Sequence, residues 1–176
     1  FIGLDYCPDP SEVAWANAVL SDYPDHKAVL TTHALLNDNG EYEGNACSDT
    51  EYIWDDLITH HDNLRLVLCG HMHRDDGEAY VGRYNSGGYL VHQLLADYQG
   101  RANGGNGLLR IMTFDPSKDK IYVKTYSPYT NSYETDAETA GLSSGPSGSN
   151  AFGQVPGLMW RNPGVAQTDS HPVVCV

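Results

Sequence analysis

Three short strand-like runs, residues 1–5, Ala28 to Thr32 and Leu64 to Cys69, alternate with two stretches that carry helix-start signals. This alternation constrains the fold more than any other feature of the chain. Near-continuous apolar runs of this length are what strands buried on both faces require, and such strands are parallel neighbours joined by helical crossovers. Asp9-Pro10-Ser11-Glu12 supplies a cap, a first-turn proline and a capping-box acid, predicting a helix to about Ser21 that Pro24 helps to end. Trp15 and Val19, with Ala16 and Leu20, share one face of it, and Trp15 is expected to anchor that face in the core. Ser48 and Glu51 repeat the capping-box pattern ahead of Ile53, Trp54, Leu57 and Ile58, predicting a second helix over 49–60. The resulting order is a parallel βαβαβ portion with right-handed crossovers.

Beyond residue 73 the pattern changes. Segments 78–84, 89–98, 108–114 and 120–126 read as antiparallel strands, in a mixed sheet or in two packed sheets. Gly100 to Gly107 reads as a hairpin loop and Asp115 to Asp119 as a turn. Residues 1–130 are therefore expected to form one domain. Residues 131–176 are expected to be a Gly/Pro/Ser-rich tail or linker, with a short strand available at Pro172 to Val176.

The parallel order brings His33, at the end of the second strand, to the same carboxyl edge as Gly70-His71-Met72-His73, at the end of the third. Ligand sites of open α/β sheets lie at that edge, and three imidazoles there make His33, His71 and His73 candidate metal ligands. Gly70 is expected to shape the turn that presents them. The alternative for His33 is a neutral ring hydrogen-bonded to backbone. His60 and His61 are read as helix-end residues, His26 and His92 as loop and sheet residues, and Asp75 and Asp76 as a solvated turn.

Charge narrows the function classes. With 23 acidic against 10 basic side chains the formal charge is −13, which argues against a nucleic-acid partner. A phosphorylated small molecule remains compatible, because bound cations reverse the local field. No apolar stretch reaches the ~18 residues of a membrane span, and the first residues lack a signal-peptide pattern. Of the four cysteines, Cys69 fits a buried strand position, and Cys7 with Cys47 is a possible loop pair that spacing alone does not establish. The acidic balance and cysteine count lean towards a secreted or periplasmic protein.

His33 followed by Gly70-His71-Met72-His73, with a helix between them, resembles the carboxyl-terminal half of the catalytic domain of calcineurin-like metallophosphoesterases. The resemblance covers roughly residues 1–128. It implies an α/β fold, a partial metallophosphoesterase-like layered sandwich. It also implies metal-dependent hydrolysis of a phosphate ester by a metal-activated water, with His33 and His71 on one ion, His73 on a second, and Fe, Zn or Mn as the metals. The family's earlier Asp-x-His, Gly-Asp and Gly-Asn-His-Asp/Glu motifs have no ordered counterparts. Gly44-Asn45 is followed by Ala46-Cys47, and Asp169-Ser170-His171 lies at the other end and is set aside. An amino-terminal half carrying those motifs is therefore expected outside this chain, and no catalytic acid is assigned within it. The alternative is a noncatalytic metal-binding or extracellular ligand-binding module. A serine or cysteine hydrolase is disfavoured, because no strand ends in Gly-x-Ser-x-Gly and no local Cys–His pairing is evident.

Overall fold

The computed structural model describes residues 1–42, 47, 49–74, 76–115 and 120–134, together with the backbone of short strands at 150–151 and 173–175. Expectations on Gly44-Asn45, Ser48, Asp75, most of the 115–119 turn and Asp169-Ser170-His171 lie outside the described residues. The chain forms two compact units, Phe1–Gly100 and Arg101–Val176.

The first unit contains β1 (Ile2–Gly3), α1 (Pro10–Asp22), β2 (Ala28–Thr31), α2 (Glu51–Asp56), β3 (Leu64–Cys69), β4 (Glu78–Tyr84) and β5 (Leu90–Ala96). Its sheet has the order β1-β2-β3-β5-β4. The first four of these run parallel, and β4 is antiparallel to β5. The predicted parallel portion is present. The hairpin that follows does not start a new layer but extends the same sheet, with β5 inserted beside β3 and β4 at the edge. Its turn is built by Asn85, whose Oδ1 accepts from Tyr89 N at 2.8 Å, and by Gly88 at φ +79°. Consequently the carboxyl ends of β1, β2, β3 and β5 all open on one edge.

α1 starts as predicted, with Asp9 Oδ1 accepting from Ser11 N at 2.8 Å and Glu12 N at 3.0 Å. The Ser11 hydroxyl, which donates to Asp9 Oδ1 at 2.6 Å, holds the Asp9 carboxyl below its usual range together with those two backbone bonds. Glu12 does not close the capping box. Its carboxylate accepts from Asp5 N instead, tying the helix start to the end of β1. The buried face of α1 is Val13, Ala16 and Leu20. Trp15 is 51% exposed and is not the core anchor expected of it. The spacing identified the helix, but a neighbouring stripe faces the core, because Ala16 lets the helix approach the sheet.

The expected helix over 49–60 is broken. α2 ends at Asp56, Leu57 adopts φ −133° and ψ −67°, and a 3-10 turn follows over Ile58–His60. Thr50 occupies the cap position without a side-chain cap bond, since its hydroxyl donates to Leu35 O at 2.6 Å. The break lets Ile53, Trp54, Leu57 and Ile58 all enter the core with Leu30, Leu35, Leu64, Val67 and Leu95. His61, just past the 3-10 turn, is buried with Nε2 2.7 Å from Asn17 Oδ1. Its packing role agrees with the helix-end reading.

In the second unit β6 (Leu109–Asp115) and β7 (Lys120–Ser127) form an antiparallel pair. β8 (Ser132–Tyr133) and β9 (Asn150–Ala151) pair with β7, and β10 (Val173–Cys175) pairs with β6. Strict alternation buries Arg110, Met112 and Phe114 opposite Thr125, Val123 and Ile121. Gly100 to Gly107 contains a short helical turn, Ala102–Gly105, in which Asn103 and Gly104 have left-handed angles. Among the described residues no helix is long and apolar enough to cross a membrane.

His92 on β5 is 2% exposed, with Nδ1 2.9 Å from Tyr80 Oη. Burial, aided by the nearby Arg65 guanidinium, depresses its pKa to about 4. The folded state therefore keeps His92 neutral, while the unfolded chain protonates it below about pH 6.5. Its contribution is complete above pH 6.5 and is lost as pH falls towards 4, a loss of about 3 kcal/mol. Denaturant unfolding at pH 7 and pH 4 should show a fall of that order, which His92→Gln should diminish. An equal fall in both proteins would assign the acid sensitivity elsewhere.

Candidate metal centre

β2 and β3 are adjacent and parallel, paired from Ala28↔Leu64 to Thr31↔Leu68, so their exits lie side by side. Gly70 N donates to His33 O at 3.0 Å, and Thr32 N donates to Leu68 O at 3.0 Å, locking the two exits together. Across this junction His33 Nε2 lies 3.0 Å from His71 Nδ1. The two rings are 4.9 Å apart at an interplanar angle of 55°. Two of the three expected residues are thus in contact, with their rings tilted.

Gly70 is not what bends the chain. Its φ is not among the left-handed values, and a Cβ there would make only ordinary contacts, 3.7 Å from Ala96 O. His71 itself takes the left-handed conformation, at φ +70°. A non-glycine residue there costs roughly 1–2 kcal/mol, a strain typical of functional positions. The cost is coupled to a result: the turn brings Nδ1 opposite His33. His71→Gly is accordingly expected to raise stability by about 1 kcal/mol while removing one half of the pair. Unfolding and metal titration of that variant check both effects, and lower stability would contradict the strain argument.

Met72 packs against the core and fixes the middle of the loop. His73 is held differently from the pair. Its Nδ1 lies 3.0 Å from His71 O and 3.0 Å from Gln99 Nε2. Gln99 Nε2 also donates to Asp97 Oδ2 at 2.8 Å. Gly100 allows this approach, since a Cβ there would stand 2.3 Å from His73 O. Nδ1 can serve only one of these contacts in a given tautomer: protonated, it donates to His71 O and leaves the lone pair on Nε2, whereas accepting from Gln99 puts the proton on Nε2. His73 therefore stands at the same edge but contacts the His71 carbonyl and the β5 exit rather than His33.

Tyr6, just past β1, completes the edge. Its ring lies 5.0 Å from the His33 ring at 87° and 5.3 Å from the His71 ring. Cys7, at φ +54°, is disulfide-bonded to Cys47. Cys69 ends β3 but is buried, donates to Leu94 O at 3.4 Å, and has its thiol pushed up to about 12 by burial. It is an inert packing residue, as its strand position predicted. Asp76 serves the turn by accepting from Glu78 N at 3.0 Å.

The donor chemistry suits a metal. The 3.0 Å contact is that of an N–H···N hydrogen bond between the rings, and it also lies within the about 2.9–3.4 Å that separates two nitrogens bound to one zinc at ~2.0–2.1 Å. The set is partial: among the described residues no three His, Cys, Asp or Glu side chains converge as a metal cluster. Tyr6, Asp97 and Gln99 were missed by sequence reading. Tyr6 follows a strand of the same parallel set, a usable signal. Gln99 was hidden because β5 was expected among antiparallel strands, with a mixed sheet and two packed sheets both left open, whereas it pairs parallel with β3.

No protein-family model matches the chain, and no solved structure matches it. The chain is similar to "Uncharacterized protein YvnB" of Bacillus subtilis (strain 168), with 39% identity over 137 residues that cover 71% of this chain. The chain spans 10% of the length of that curated relative.

Proposed function

We propose that this edge is part of the metal centre of a calcineurin-like metallophosphoesterase that hydrolyses a phosphate ester of a small molecule, within a layered α/β sandwich. The observation that carries the reading is the His33–His71 nitrogen pair, 3.0 Å apart at the carboxyl ends of neighbouring parallel strands. His33 and His71 would hold one ion and His73 a second, with Fe, Zn or Mn as the metals. Bound ions would supply charge stabilisation at the phosphoryl oxygens and an activated water.

The chain's own contribution is positional. The paired strand exits fix the separation of His33 and His71, the left-handed turn at His71 aims its Nδ1, and the His71 carbonyl would orient His73 by accepting from its Nδ1. The remaining ligands, including a carboxylate shared by two ions, are proposed to come from upstream sequence of a longer protein. That this chain spans 10% of the length of YvnB is compatible with that. The Cys7–Cys47 disulfide is consistent with an oxidising environment and supports a secreted or periplasmic location.

The test is hydrolysis of p-nitrophenyl and bis-p-nitrophenyl phosphate by the longer protein containing this segment, with Fe, Zn or Mn added. Turnover that chelation abolishes, and that His33→Ala or His71→Ala lowers by a factor of about 100 or more, is the expected result. Metal binding without turnover would favour a noncatalytic binding module, the reading that the two-nitrogen set by itself would fit.

A further inference from the structure

Residues Asp5 to Pro8, shortly after β1, are fixed far more firmly than an exposed turn requires. Leu4 N donates to Thr31 O at 2.8 Å, and Asp5 N donates to the Glu12 carboxylate. Tyr6 N donates to Asp5 Oδ1 at 2.9 Å, Cys7 is bonded to Cys47, and the Tyr52 hydroxyl donates to Pro8 O. Cys7 also takes a left-handed conformation, at φ +54°. What these restraints position is one ring, Tyr6, in contact with both His33 and His71 while 45% of it faces solvent.

A half-exposed aromatic ring, immobilised beside two imidazoles, presents a stacking surface whose ordering cost has already been met by the fold. From this arrangement we infer that Tyr6 is the wall of a leaving-group subsite, and that the site favours phosphate esters whose leaving group carries a flat ring. The inference rests on the phosphoesterase reading for the identity of the neighbouring phosphoryl group. Tyr6 acts through its ring face, so phenylalanine should replace it and alanine should not. The disulfide is a positioning element for that ring, since it anchors the adjacent residue.

The experiment compares phenylphosphonate with methylphosphonate, neither of which has a scissile ester, by calorimetric titration of the zinc-supplemented chain. Phenylphosphonate should bind about tenfold more tightly, the size of one aromatic contact. That preference should persist in Tyr6→Phe, fall to less than twofold in Tyr6→Ala, and weaken in Cys7→Ser/Cys47→Ser. Zinc content, measured in every protein, should be unchanged by the Tyr6 substitutions. Equal binding of the two phosphonates, no binding of either, a preference that survives Tyr6→Ala, or loss of zinc from Tyr6→Ala would each overturn the proposal. A Tyr6-dependent preference without ester hydrolysis in the longer protein would leave the subsite standing and remove the phosphoesterase reading.

Discussion

Reduction of the Cys7–Cys47 disulfide is expected to lower the unfolding free energy by about 4 kcal/mol. The bond joins residues separated by 40 positions, and the loop-closure entropy it removes from the unfolded chain is about 13 cal/mol/K, or ~4 kcal/mol at room temperature. Cross-linking matters here because the enclosed segment, which includes β2 and His33, is otherwise joined to β1 by a two-residue pairing, Ile2↔Leu30 and Gly3↔Thr31. Denaturant unfolding with and without reductant, together with the Cys7→Ser/Cys47→Ser protein, measures the effect. A midpoint unmoved by reduction would show that the loop closure contributes nothing to stability.

Gly77→Ala should be comparably damaging, at about 4 kcal/mol, for two separable reasons. Gly77 lies at φ +72°, where a side chain is strained. A Cβ there would also stand 1.8 Å from Asp97 O and 2.8 Å from Asp97 C, both of them backbone atoms. The hydrogen bond from Asp97 N to Gly77 O, at 2.8 Å, holds these two segments together, so neither can move aside freely. Gly88→Ala is the control, since φ is similar at +79° but nothing lies within 4 Å of its added Cβ. That variant should lose only about 1 kcal/mol, the conformational part. Equal losses at the two positions would mean that the close approach at Gly77 is relieved locally. Because Asp97 leads directly to Gln99, the Gly77 variant should also loosen the support of His73.

Much of the first unit was legible because its strands are read by burial alone. Leu64–Cys69 is the predicted strand residue for residue, and Glu78–Tyr84 matches as well. Asp9 was found as a cap because its own side chain carries the signal. Trp15 was misplaced for the opposite reason: periodicity defines several stripes on one helix, and which faces the sheet depends on how closely the backbone can approach. The break at Leu57 likewise follows from tertiary packing, which draws both halves of the segment into the core. β5 pairs with β3 across an intervening strand in sequence, and no local pattern records such a partner choice.

The candidate site divides along the same line. That His33 and the Gly70–His73 loop share an edge followed from counting parallel strands. Which residue makes the turn did not, since a glycine beside two histidines is the natural choice for a left-handed position, yet His71 takes it. The approach of Gln99 to His73 depended on β5 pairing parallel with β3, a partner choice the sequence left open between a mixed sheet and two packed sheets.

The most direct measurement is metal stoichiometry on the purified chain and on the His33→Ala/His71→Ala/His73→Ala protein, both loaded with zinc under the same conditions and dialysed. At least one tightly held ion per chain in the former and none in the latter is the expected result. About one ion would match the His33–His71 pair acting alone, and about two would show that His73 organises a second position with ligands still to be identified. The same near-zero content in both proteins, with folding of each verified by circular dichroism, would contradict the assignment of this edge as a metal centre in this chain.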